Sequence, residues 1–103
     1  MSPEPLPPDD AASVADHVLS IHEIEVLTAM MDTPDRWWDA RLISGELRIA
    51  VTTARGLLDR LAGLNLLDIR LTDEVRYRFR PGTAELAHTV SRLIASYRRS
   101  RVR

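Results

Sequence analysis

Apolar residues recur at spacings of three and four through Val14, Val18, Ile21, Ile24, Leu27 and Met31, which predicts a helix over about 11–31. Ser13 or Asp10 can cap its start. Leu19, Val26 and Met30 broaden the stripe, so this segment either packs on more than one side or forms two helices broken near Ser20. Asp32-Thr33-Pro34-Asp35 is a stop and a turn. Residues 39–47, DARLISGEL, predict a short helix capped by Asp39 or a residue just before it, with Ala40, Leu42, Ile43 and Leu47 as its apolar contacts. A tight connection, Arg48-Ile49-Ala50, leads into a helix over about 51–63. Its inner face is Val51, Ala54, Leu58 and Leu61, and Gly63 is placed to terminate it.

The period then changes from helical to two. Leu67, Ile69 and Leu71 alternate with Asp68 and Arg70, and Tyr77 and Phe79 alternate with Arg76, Arg78 and Arg80. With Thr72-Asp73-Glu74 between them, these runs predict a hairpin with one apolar and one charged face. Pro81-Gly82 breaks the second strand, and Thr83 caps a last helix over 83–98 with Leu86, Val90, Leu93 and Tyr97 in line. The fold class is mainly α with a small antiparallel β-hairpin. Residues 1–10, with four prolines, read as a disordered acidic tail, and residues 11–103 as a single domain. One of the adjacent Trp37 and Trp38 is expected to plug the core, and the other can stack at the surface.

Charge changes this picture. Residues 1–39 hold nine acids and one arginine, whereas residues 40–103 hold thirteen arginines and six acids. The chain has no lysine and no cysteine. The asymmetry suits a polyanion or acidic partner for the second half, or mutual neutralisation of the halves in the fold. Without cysteine there is no disulfide, thiolate metal site or thiol nucleophile. His17 and His22 are five apart and diverge on one helix, Glu23 and Glu25 read as solvent-facing, and the four glycines are scattered. No metal, no cofactor and no enzymatic activity are therefore expected. The acidic, proline-rich start is unlike a secretory leader, and no apolar run reaches the about 18 residues of a membrane span, which reads as cytoplasmic.

The stretch Leu42–Arg80, LISGELRIAVTTARGLLDRLAGLNLLDIRLTDEVRYRFR, resembles the winged helix-turn-helix superfamily of bacterial transcription regulators. The likeness lies in the short helix ending in leucine, the second helix with alanine and leucine inward, and the L-x-x-L-x-x-x-x-L-L run entering a hairpin. It implies a winged helix-turn-helix with flanking N- and C-terminal helices, a recognition helix at about 51–63 and a wing at about 68–80. It also implies double-stranded DNA as the partner, and transcription regulation as the role. On a helical projection Thr52, Thr53, Gly56, Asp59 and Arg60 face outward, with Arg48 and Arg55 at the flanks. The candidate DNA-binding residues are thus Arg48, Thr52, Thr53, Arg55, Arg60, Arg76 and Arg78, the last two about 7 Å apart along a strand. An Asp59–Arg55 pair would compete for one of them. The stripe Leu86, Val90, Leu93 and Tyr97 either packs on the first helix or forms the dimerisation face of a homodimer. The acidic Asp73-Glu74 tip and the near-neutral net charge support the alternative of a winged-helix protein–protein interaction module.

Overall fold

The computed structural model describes residues 19–101. The chain forms α1 (Ile21–Met31), α2 (Ala40–Leu47), α3 (Val51–Gly63), β1 (Leu67–Leu71), β2 (Val75–Phe79) and α4 (Ala84–Arg101). The expected tail over 1–10, the first part of the helix expected over 11–31 and its Ser13 or Asp10 cap all lie outside the described residues, as does His17.

Each boundary has a local cause. α1 begins at Ser20, whose hydroxyl accepts the Glu23 N–H while the Glu23 carboxylate accepts the Ser20 N–H, a complete capping box. A helix start at Ser20 is observed, as the reading with a break there requires, while residues 11–18 lie outside the described residues. α2 is capped by Asp39, which accepts the Leu42 N–H at 2.9 Å. α4 is capped by Thr83, which accepts the Leu86 N–H at 3.0 Å. The end of α3 corrects the sequence reading. Gly63 stays helical, and the left-handed residue is Asn65, at φ 66°. Asparagine is among the few non-glycine residues that tolerate that region. Its carbonyl accepts the Gly82 N–H at 2.9 Å, and a Cβ on Gly82 would run into the Asn65 side chain. A side chain at 82 would therefore force the Asn65 side chain to move.

α1 is the centre of the packing and touches α2, α3, β2 and α4. Val26, Leu27 and Met30 of α1 meet Ile43 of α2, Ala54, Leu58 and Leu61 of α3, Leu66 and Leu67 at the root of the hairpin, and Leu86, Val90 and Ile94 of α4. Burying each of the larger side chains contributes about 1.5–3 kcal/mol. The phase of α1 differs from expectation. Ile21 is exposed, Ile24 and Met31 are half-buried, and the inner face is Glu23, Val26, Leu27 and Met30. Val51, expected inward on α3, is also exposed.

β1 and β2 pair antiparallel with Leu67 opposite Phe79 and Leu71 opposite Val75. Trp38 adds a bridge to Tyr77, with both backbone hydrogen bonds at 2.7 Å. Trp38 is buried and Trp37 half-buried. For α4, the observed packing is on α1. Leu86 and Val90 are fully buried within this one chain and Leu93 and Tyr97 half-buried, so the first two have no surface to offer a second copy. Packing on the first helix, one of the two readings of this stripe, accounts for Leu86 and Val90.

Candidate nucleic-acid interface

The turn between α2 and α3 is three residues long. Arg48 closes α2 in the left-handed region at φ 60°, ψ 51°, and its N–H reaches the Ser44 carbonyl. The Ile49 N–H bonds the same carbonyl at 3.1 Å, and the Ser44 hydroxyl donates to the Ile49 carbonyl. A left-handed non-glycine residue costs about 1–2 kcal/mol, which these bonds offset. The result is a fixed angle between α2 and α3 and an Arg48 side chain held in solvent.

α3 starts without a side-chain cap, because Ala50 stands at the N-cap. The first N–H groups of a helix have no partner inside it, and with the helix dipole they favour an anion. With Ala54, Leu58 and Leu61 buried, a 100° step puts Thr52 and Gly56 at the crest of the outer face. Thr53 and Arg60 form one edge, and Arg55 and Asp59 the other.

Both edges are anchored at their C-terminal ends. On the first, Arg60 Nε lies 2.7 Å from Glu23 Oε2, a carboxylate only 3% exposed. Sequence reasoning had put Glu23 on the solvent face. On the second, the buried Tyr77 donates its hydroxyl proton to Asp59 at 2.6 Å. Burial first, then this hydrogen bond and the Asp59 charge, push the Tyr77 pKa from 10.0 up to about 12, while the Arg55 charge pulls the other way. Asp59 therefore bonds Tyr77, and the expected Asp59–Arg55 pair is not among the ion pairs.

The hairpin divides the candidate residues. Tyr77 faces α3, so Arg76 and Arg78, its neighbours along β2, project from the opposite face. There Arg78 bonds Asp68 at 3.0 Å and stacks 4.4 Å from the Trp37 ring, with Arg70 over the same ring at 5.3 Å. Arg80 is 4.0 Å from Asp68. The structure thus groups Arg48, Thr52, Thr53 and Arg55 around the start of α3. Arg60 sits on the α1 edge of that helix, and Arg76 and Arg78 lie on the far face of the hairpin.

Sequence reasoning missed Arg41. It lies in the first turn of α2, exposed, and lines a cleft of about 420 Å³ with Val51, Arg55, Glu74, Val75 and Tyr77. Its signal was its place opposite Ile43 on α2, two residues after the cap. Among the described residues Arg41, Arg48 and Arg55 have no carboxylate within ion-pair distance, whereas Arg60, Arg78, Arg80 and Arg98 do.

No helix among the described residues is long and apolar enough to cross a membrane. No protein-family model matches the sequence. No curated protein matches it either. The fold is similar to that of a MarR family protein from Bacillus stearothermophilus, with a TM-score of 0.61 at 15% identity, covering 88% of this chain. The match spans 62% of the length of that protein. At such identity the likeness is one of fold: helices and a two-stranded antiparallel hairpin in the winged-helix arrangement.

Proposed function

We propose that this winged helix-turn-helix chain is a DNA-binding transcription regulator that places the first half of α3 in the major groove. The observation that carries this reading is the group of Arg41, Arg48 and Arg55, without carboxylate partners, around the uncapped start of α3. An unpaired guanidinium can fork onto a phosphate or onto guanine O6 and N7. Thr52 and Thr53, both exposed, add hydroxyls for phosphate and methyls for a thymine methyl. Arg76, exposed on the hairpin, is assigned to flanking backbone. Arg78 is assigned to holding Trp37 and Asp68, and Arg60 to holding Glu23.

The test is fluorescence anisotropy with mixed genomic duplex DNA over a salt series. Wild type is compared with an Arg41→Ala, Arg48→Ala, Arg55→Ala variant. Each lost phosphate contact should reduce the slope of log K against log salt by about 0.9, so the triple variant should lose about 2–3 from it. Absence of binding at about 50 mM salt and micromolar protein would defeat the proposal, since non-specific binding alone reaches about 10⁻⁴–10⁻⁶ M.

One observation favours a second reading, a protein-interaction module. The hairpin face turned toward α3 is apolar at its outer end, with Leu71 76% exposed beside Val75 and Ile69, and its tip is Asp73-Glu74. Such a tip repels phosphate and suits a protein surface. A Leu71→Asp variant that keeps DNA affinity but loses a protein partner captured by wild type would support it.

A further inference from the structure

Glu23 is the third residue of α1, and both of its carboxylate oxygens are engaged. Oε1 accepts the Ser20 N–H at 2.8 Å and closes the capping box; Oε2 meets Arg60 Nε at 2.7 Å. A capping box needs only the first contact, and an exposed glutamate or glutamine would make it. The burial of Glu23 demands the second, since a carboxylate taken this far from water requires a paired charge. Nε sits on the stem side of the guanidinium, so binding it fixes the direction of the whole Arg60 side chain.

Thr53 precedes Arg60 by seven residues, so the two share one edge of α3, about 10 Å apart along its axis. Arg55 precedes Asp59 by four and shares the other edge, where Asp59 is held by Tyr77. α3 is pinned on both edges, directly behind the residues it presents. The Glu23–Arg60 pair also borders a groove of about 460 Å³ between α1 and α3 that includes Thr53 and Gly56.

We propose that Glu23 is a positioning residue for the α3 interface. Through Arg60 it sets the roll of α3, and Arg60 serves the interface by that contact instead of as a phosphate ligand. The inference rests on the DNA-binding reading above and deepens it.

Two substitutions separate the roles. Glu23→Gln is isosteric, and its oxygen can still accept the Ser20 N–H, but its NH₂ opposes Arg60 donor to donor. Arg60→Gln removes the other partner. Well below the melting temperature, each single variant should bind duplex DNA about tenfold more weakly, and the double variant no more weakly than either. All three should keep the wild-type salt slope. Ile43→Val, a core truncation remote from the pair, should keep wild-type affinity. Without DNA, the amide ¹⁵N–¹H signals of Thr52, Thr53 and Arg55 should shift in Glu23→Gln.

An Arg60→Gln variant with a slope shallower by about 0.9, beside a Glu23→Gln variant binding like wild type, would make Arg60 a phosphate ligand and overturn the proposal. Lower melting temperatures with unchanged affinity and unchanged amide signals would overturn it too, leaving only a stabilising contact. If wild type binds no duplex, the DNA-binding reading fails on its own, and unmoved amide signals in Glu23→Gln would sink the positioning role.

Discussion

In the first half of α3, Arg55 has no carboxylate within ion-pair distance, nor have Arg41 and Arg48 beside it. In the second half, Arg60 sits 2.7 Å from a buried glutamate, and Asp59 takes a hydrogen bond from a buried tyrosine. Both halves expose polar side chains, and both read alike on a helical projection. They differ in what stands behind them. The second half lies against α1 and the hairpin, and its charges compensate groups those elements bury. The first half borders the hairpin tip across an open cleft, where Arg41 and Arg55 form no ion pair with the carboxylates of the tip. Charge on a helix surface therefore indicates an interface only when the fold has not already engaged it.

The largest effect that could break this contrast is on stability. Arg60→Ala leaves the Glu23 carboxylate buried and unpaired. Complete burial of such a pair would cost about 3–5 kcal/mol, and the half-exposed arginine reduces that to about 2–3 kcal/mol. Arg55→Ala should stay within about 0.5 kcal/mol, as exposed positions do. Urea denaturation of both checks the difference, and equal losses would erase it.

The second effect is on the hairpin edge. Tyr77→Phe removes one hydrogen bond to Asp59 and should cost about 1 kcal/mol. The Tyr77 pKa is raised in the folded state, so its contribution is fully present below about pH 10 and is lost as pH rises toward about 12. Wild type should therefore lose stability across that window faster than Tyr77→Phe. Tyrosinate absorbance should show one tyrosine titrating late, and that step should vanish in the variant.

The smallest effect concerns the crest of α3. A Cβ at Gly56 would meet nothing within 4 Å, so Gly56→Ala should gain up to about 1 kcal/mol. Gly82→Ala, driven against Asn65, should lose stability instead. Thermal melts of the two should move in opposite directions, and a destabilised Gly56→Ala would mean that the open crest of α3 has been misjudged.

Local pattern carried most of the architecture. The period of four and three over 51–61, the alternation over 67–71 and 76–80, and the caps at Asp39 and Thr83 are written in neighbouring residues, because helix and strand periods and caps are short-range physics. The same reasoning placed Thr52 and Thr53 outward on α3 with Arg48 and Arg55 at its flanks, and all four are exposed. It failed where a residue's environment depends on a distant one. Glu23 reads as solvent-facing until Arg60, thirty-seven residues later, is brought against it. Leu86 and Val90 read equally as a pairing face or as packing on the first helix, and their burial within the chain comes only with the tertiary fold. Asn65 takes the left-handed position expected of Gly63, and its packing against Gly82 becomes visible only once the hairpin folds back.

The sequence by itself determined the order of elements, the starts of α2, α3 and α4 and the concentration of arginine in the second half. Hydrogen-bond caps and apolar periodicity act over a few residues. Only the tertiary structure decided which arginines are engaged, which face of the hairpin meets α3 and which side of α1 is inside. Those outcomes depend on desolvation, and a charge or an apolar surface is desolvated only by what the fold packs against it.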